Sequence, residues 1–239
     1  MIIGGYASTT LLDYPGQLAC TIFTRGCNYR CPFCQNGSLV LPDKNAESYS
    51  ESEILEKLER RVGILEGVCI TGGEPTLQKD LIPFIRKIKQ MGFLVKLDSN
   101  GSNPLLLQEL IEASLVDCIA MDIKSAPDSY AAVCGLHSID LMAVRSSVQL
   151  LLNCNIEYEF RTTLVKGLHT SADILGIRDW LAGAKAYYLQ SYEESDRILT
   201  ALQGRKLPFS AFSKEELRSF LTIVQEKIPH ATVRGVDLY

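Results

Sequence analysis

No apolar run in this chain approaches the ~20 residues that would span a bilayer. The opening Met1-Ile2-Ile3-Gly4-Gly5 also lacks the basic segment and long apolar stretch of an export signal. The expectation is a soluble, cytoplasmic chain that does not act at a membrane. A surplus of positive charge is missing too: 24 Lys and Arg stand against 28 Asp and Glu, for a formal charge of −4. That balance argues against a nucleic-acid binder working through a globally basic surface. No repeat period, low-complexity block or linker-like tract interrupts the 239 residues, so one domain over 1–239 is expected. The three histidines, His137, His169 and His230, share no metal-ligand spacing. What the chain does have is apolar residues (46%), enough for a sizeable core, and eight cysteines. Without an export signal, thiols in that number point to metal, redox or catalytic use before a disulfide framework.

Short β-branched or apolar runs at 18–24, 67–71, 93–98, 117–122, 156–165 and 186–191 read as strands. Segments of helical spacing lie between and after them, at 51–62, 81–91, 104–114, 140–152, 171–182 and 214–227. Their ends carry signals: Ser50 with Glu53 and Ser213 with Glu216 are capping-box pairs, Asn103-Pro104 opens a helix, Asp80 is placed to cap, and Gly92 suits a left-handed stop. Six strand–helix units make an α/β protein with a parallel sheet and right-handed crossovers, too few for a full eight-stranded barrel. A flat doubly wound sheet and a partial, open barrel both satisfy the pattern. In either, the chemistry belongs at the carboxyl ends of the strands.

Directly after the first of these strands comes Gly26-Cys27-Asn28-Tyr29-Arg30-Cys31-Pro32-Phe33-Cys34, with thiols spaced C-x₃-C-x₂-C. Such soft ligands favour zinc or an iron–sulfur cluster, and three of them leave one metal position open. A zinc knuckle completed by Cys20 satisfies the same spacing. The second strand runs into Thr71-Gly72-Gly73-Glu74-Pro75-Thr76, where two missing side chains allow close backbone approach and Glu74 offers an acceptor for an ammonium group. The next two strands end at Lys96-Leu97-Asp98-Ser99-Asn100-Gly101 and Ala120-Met121-Asp122-Ile123-Lys124, and the fifth carries Glu159-Phe160-Arg161. Taken singly, these words also read as a strand-to-helix turn, a surface salt bridge and a solvent-facing arginine. Cys20, Cys69, Cys118, Cys134 and Cys154 read as small buried hydrophobes.

Together the words resemble the radical S-adenosylmethionine (radical SAM) enzymes. With Leu12-Asp13-Tyr14-Pro15-Gly16-Gln17 ahead and Gln35-Asn36-Gly37 behind, the triplet is similar to the subgroup that activates glycyl-radical enzymes. That subgroup includes the anaerobic ribonucleoside-triphosphate reductase activating proteins and the pyruvate formate-lyase activating enzyme. The resemblance covers roughly residues 8–191 and implies a partial (β/α)6 open barrel with its core at about 15–191 and a C-terminal extension at 192–239. It further implies a 4Fe-4S cluster on Cys27, Cys31 and Cys34 whose fourth iron is chelated by SAM. Phe33, Gly72, Gly73, Glu74, Asp98, Ser99, Asn100, Asp122, Lys124 and Arg161 would surround SAM, with Asp98 and Asp122 also holding a monovalent cation. The chain departs from the pyruvate formate-lyase activator at Leu189-Gln190-Ser191-Tyr192, where that enzyme has a SAM-contacting histidine; Gln190 or Tyr192 stands in its place. No second cluster is expected, because residues 35–71 hold only Cys69.

The implied reaction is reductive cleavage of SAM, with flavodoxin or ferredoxin as electron donor. The resulting 5′-deoxyadenosyl radical abstracts hydrogen from a glycine of a partner enzyme, foremost anaerobic ribonucleotide reductase. No side chain of this chain is assigned as a catalytic group. Two other readings compete: a stand-alone radical SAM enzyme acting on a small molecule, and a non-enzymatic metal-binding protein with a fourth protein ligand.

Overall fold

The computed structural model describes residues 1–41 and 48–238. Eight strands form one sheet in chain order: β1 Ile3–Thr10, β2 Ala19–Thr24, β3 Gly67–Gly72, β4 Leu94–Ser99, β5 Cys118–Asp122, β6 Glu157–Leu164, β7 Tyr187–Ser191 and β8 Thr232–Arg234. Strand β1 runs antiparallel to β2, and every later pairing is parallel. Each of the six strands expected from the sequence is present as β2 to β7. The expected count of six is corrected to eight by the edge strands β1 and β8. Among the described residues these two edges do not pair, so the sheet curls without closing. It is an open α/β barrel, and no described helix is long and apolar enough to cross a membrane.

The helices are α1 Gly37–Val40, α2 Glu51–Glu59, α3 Leu81–Gln90, α4 Pro104–Glu112, α5 Tyr130–Val133, α6 Leu141–Leu152, α7 Ser171–Trp180, α8 Leu199–Leu202 and α9 Lys214–Gln225. The three four-residue helices were not anticipated; they are too short to show helical periodicity. Ser50 and Ser213 form complete capping boxes with Glu53 and Glu216, and the Asn103 side chain accepts from the Leu106 N–H ahead of Pro104. Asp80 differs from its expected role: its carboxylate makes no cap and instead takes the amino group of Met1 at 3.1 Å. An N-terminal amine is a stronger partner than a backbone amide.

Alternation along the strands separates two environments. One face, with Ile22, Val68, Ile70, Val95, Leu97, Ile119, Met121 and Phe160 fully buried, packs against the helices. The other lines the barrel interior. The turn after β1 closes the barrel beneath: Thr21 Oγ1 donates to Asp13 at 2.5 Å, and the Tyr14 ring lies where a Cβ on Gly67 would meet it at 2.9 Å. The expected C-terminal extension is described up to residue 238. Within it α9 buries Leu217, Phe220 and Val224 and packs on α7, and β8 joins β7 with Gln190 opposite Arg234.

Candidate functional site

A cavity of about 430 Å³ opens at the carboxyl ends of the parallel strands. Its walls contain Cys27, Cys31, Cys34 and Phe33 from the loop after β2, and Gly72, Gly73 and Glu74 from the end of β3. Asp98, Ser99 and Asn100 follow from β4, Asp122 and Lys124 from β5, and Arg161 from β6. All the site residues expected from the sequence thus lie around one space.

The cysteine loop is clamped from both sides. Arg30 N–H donates to the Cys134 carbonyl (2.9 Å) just after α5, while Leu199 N–H at the start of α8 donates to the Cys34 carbonyl (3.0 Å). Thr200 adds two hydrogen bonds to the Pro32 carbonyl, 3.2 Å from its N–H and 2.8 Å from its Oγ1. All eight cysteines are free thiols. Tyr29 N–H points at Cys27 Sγ from 3.3 Å, and burial pushes the Cys27 thiol up to about 11. Burial raises Cys34 as well. Cys31 moves the other way, because the buried Cys134 thiol hydrogen-bonds to it and the Lys124 ammonium stands nearby. Cys134 was assigned to packing in the sequence; no spacing rule could have placed it behind Cys31.

The glycines are required by their neighbours. A Cβ on Gly72, at φ +121°, would lie 2.3 Å from the Thr24 nitrogen, and one on Gly73 would lie 2.0 Å from the Gly26 carbonyl. Both collisions are with backbone and cannot be relieved by a rotamer change. Glu74 is almost completely buried and accepts from Thr76 N–H (3.1 Å), Thr76 Oγ1 (2.6 Å), Ser99 Oγ (2.9 Å) and Asn100 N–H (2.7 Å). Three of these donors share Oε1 and one reaches Oε2, which keeps acceptor capacity. Glu74 thereby ties the ends of β3 and β4 together, while lining the cavity with an Oε2 that has a single donor, the Asn100 N–H. Burial raises its pKa in spite of these donors.

Charge concentrates on the opposite wall. Arg161 Nη1 reaches Asp98 at 3.1 Å and Nη2 reaches Asp122 at 3.0 Å, Lys96 Nζ donates to Asp98 at 2.5 Å, and Lys124 Nζ to Asp122 at 2.9 Å. Burial alone would raise the pKa of Asp122, but Arg161 and Lys124 outweigh it and hold the carboxyl well below the usual range. Asp98 is lowered in the same way by Arg161 and Lys96. The two carboxylates that the resemblance gave to a monovalent cation are thus bridged by the chain's own guanidinium. Lys96 and Glu159 were quoted in the sequence words without a role, and Arg234 was not singled out. All three join this network, with Glu159 held by Arg234 at 3.0 Å.

His169 stands behind the cavity lining. His169 Nδ1 accepts the Val165 N–H at 3.1 Å, so the proton sits on Nε2, which donates to the Lys124 carbonyl at 2.8 Å. The His169 ring meets Phe33 edge-on at 6.4 Å, joining two walls of the cavity; sequence reasoning gave this histidine nothing to do. Gln190 lines the cavity, whereas Tyr192 is buried against Phe209 at 5.5 Å between centroids.

The donor set fits a cluster of open coordination. Three unlinked thiols on one clamped loop line a common space, and the Lys124 ammonium near all three favours the thiolate form against burial, which prevails at Cys27 and Cys34 but not at Cys31. Cys20, the alternative fourth ligand of a zinc knuckle, is fully buried on the face of β2 opposite Phe23, a cavity residue.

Residues 21–181 match the model of the radical SAM superfamily. The chain is similar, at 29% identity over 99% of its length and 97% of the relative's, to a Methanocaldococcus jannaschii protein provisionally named a glycyl-radical enzyme activating enzyme. A Thermococcus kodakarensis protein provisionally named a GTP 3′,8-cyclase is 28% identical over 61% of this chain, which spans 47% of that relative. The fold is similar to that of Streptococcus suis SuiB bound to S-adenosylmethionine, with a TM-score of 0.66 and 14% identity over 90% of this chain and 49% of SuiB.

Proposed function

The chain belongs to the radical SAM superfamily, and from that premise we propose that it is a glycyl-radical-enzyme activase, with an anaerobic ribonucleoside-triphosphate reductase as its foremost partner. The observation that carries the reading is the convergence on one cavity of every residue that the activase words assign, by a chain alike over nearly its whole length to a protein of that name. Cys27, Cys31 and Cys34 would hold a 4Fe-4S cluster. The chemistry supplied by the bound cluster and S-adenosylmethionine is one-electron cleavage to methionine and a 5′-deoxyadenosyl radical, which takes a hydrogen atom from a glycine Cα.

The chain's own residues bind, orient and exclude. Gly72 and Gly73 keep the loop after β3 free of side chains, so that backbone groups can meet the amino end of the ligand. Lys124 and Arg161 supply positive charge for its carboxylate, and Asp98 and Asp122 keep both cations fixed in direction. Ser99 and Asn100 brace Glu74, and Phe33 walls off water on the side of His169. The cavity, about 430 Å³, is at the small end of ligand pockets, which run from ~300 to 1,000 Å³. A nucleotide cofactor would leave little of it for a separate metabolite, which favours a substrate presented at the mouth by another protein. Flavodoxin or ferredoxin is the proposed electron donor.

The test is electron paramagnetic resonance of the anaerobically reconstituted protein, reduced and mixed with SAM and candidate reductases. A glycyl doublet is expected in the partner. Production of 5′-deoxyadenosine with no doublet in any candidate would overturn the activase reading and favour a small-molecule substrate. Cys31→Ala should abolish the cluster absorbance while leaving the far-ultraviolet circular dichroism of the fold, and Cys154→Ala should change neither.

A further inference from the structure

The inner wall carries one anion that the binding of SAM does not require. Glu159, on β6, is nearly fully buried in the barrel, with Lys96 and Arg161 both 3.8 Å away. Those two cations lie closer to Asp98, at 2.5 and 3.1 Å, and Arg161 also reaches Asp122 at 3.0 Å. Glu159 therefore competes for the cations that orient the site. Its own partner comes from the edge strand two positions away: Arg234 on β8 holds both carboxylate oxygens, Nη1 at 3.3 Å and Nη2 at 3.0 Å. The Arg234 guanidinium is itself fixed by lying 3.2 Å from the centre of the Tyr188 ring, a residue paired in register with Arg161.

We propose that Arg234 is a positioning residue for SAM binding: by neutralising Glu159 it leaves Arg161 and Lys96 committed to Asp98 and Asp122, so that Arg161 faces the cavity. A buried carboxylate stripped of its partner draws on the nearest cations, because an uncompensated charge away from water is strongly unfavourable. Without Arg234 the nearest cations are Lys96 and Arg161, and movement of either toward Glu159 unpairs the aspartates of the SAM wall. The C-terminal segment thereby acts on the cofactor site without touching it. The proposal rests on reading the cavity as the SAM site.

Equilibrium dialysis of SAM against the reconstituted holoprotein tests it, with thermal melting of each variant in parallel. Arg234→Gln is expected to weaken SAM binding about tenfold, the scale of losing a partner that orients a binding group, and Arg234→Lys by less. Glu159→Gln combined with Arg234→Gln is expected to restore parental affinity, since the competing charge is then gone. If Arg234→Gln binds SAM as the parent does, the proposal fails. It also fails if the double variant binds as weakly as the single one, which would make Arg234 merely an anchor for β8. If the parent itself does not bind SAM, the reading of the cavity falls, and the proposal with it.

Discussion

Along β4, β5 and β6 the same backbone presents two surfaces of opposite chemistry. Val95, Leu97, Ile119, Met121, Tyr158 and Phe160 face the helices, while Lys96, Asp98, Asp122, Glu159 and Arg161 face the barrel interior. The first set stabilises the fold by roughly 1.5–3 kcal/mol for each large side chain removed from water. The second contributes little net stability, because desolvation of buried charges offsets most of their attraction. The inner surface is therefore an expense that the outer one carries. What it provides is a set of fixed charges around a cavity, the arrangement needed to hold a zwitterionic, sulfonium-bearing ligand in one orientation.

Substitutions on the two surfaces should separate stability from binding. Phe160→Ala, on the helix side, should cost about 3–5 kcal/mol in urea unfolding while SAM affinity of the folded holoprotein stays near parental. Weakened binding in that variant would break the division. On the inner side, Lys96→Met should cost roughly 3 kcal/mol, because it strips Asp98 of its 2.5 Å partner, and SAM affinity should fall as well. A neutral Lys96→Met would show the interior to be as tolerant as ordinary core.

The smallest effect concerns His169, at the seam between the walls. Burial holds its pKa below the usual histidine value, although the hydrogen bond to the Lys124 carbonyl opposes this. The folded state then keeps His169 neutral at a pH where the unfolded chain already binds a proton. The stability it contributes is present above the ordinary histidine pKa and is lost as pH falls from there through the lowered one. Urea midpoints of His169→Gln should accordingly vary less with pH across the window just below the ordinary value than those of the parent. An unchanged slope would remove His169 as the source.

The helix-covered surface was legible in the sequence because its signals are local. Six apolar runs gave β2 to β7, and capping pairs such as Ser50 with Glu53 gave helix ends. Strand β1 escaped because Gly4 and Gly5 blunt its pattern and only Ile3 is buried, and β8 because three residues show no period. The interior was half legible. Lys96 and Asp98, and Glu159 and Arg161, alternate with apolar neighbours at a period of two, which in a barrel already places them together on the inside. Arg234 and Cys134 carried no such sign, since their partners are distant in the chain and only tertiary structure joins them. Glu74 was found by its motif, but its four hydrogen bonds depend on where β4 ends and could not be read from Gly-Gly-Glu.

The separation of Glu159 from Arg234, 75 residues along the chain, has a consequence for biosynthesis. At roughly 5–20 residues per second of translation, about 4–15 s pass between the emergence of one and of the other from the ribosome. During that interval the nascent barrel holds an interior acid whose nearest counterion has not yet been made, with only Lys96 and Arg161, shared with the aspartates, to draw on. The central strands can assemble first, but the charge pattern of their inner wall matures only when the last strand docks.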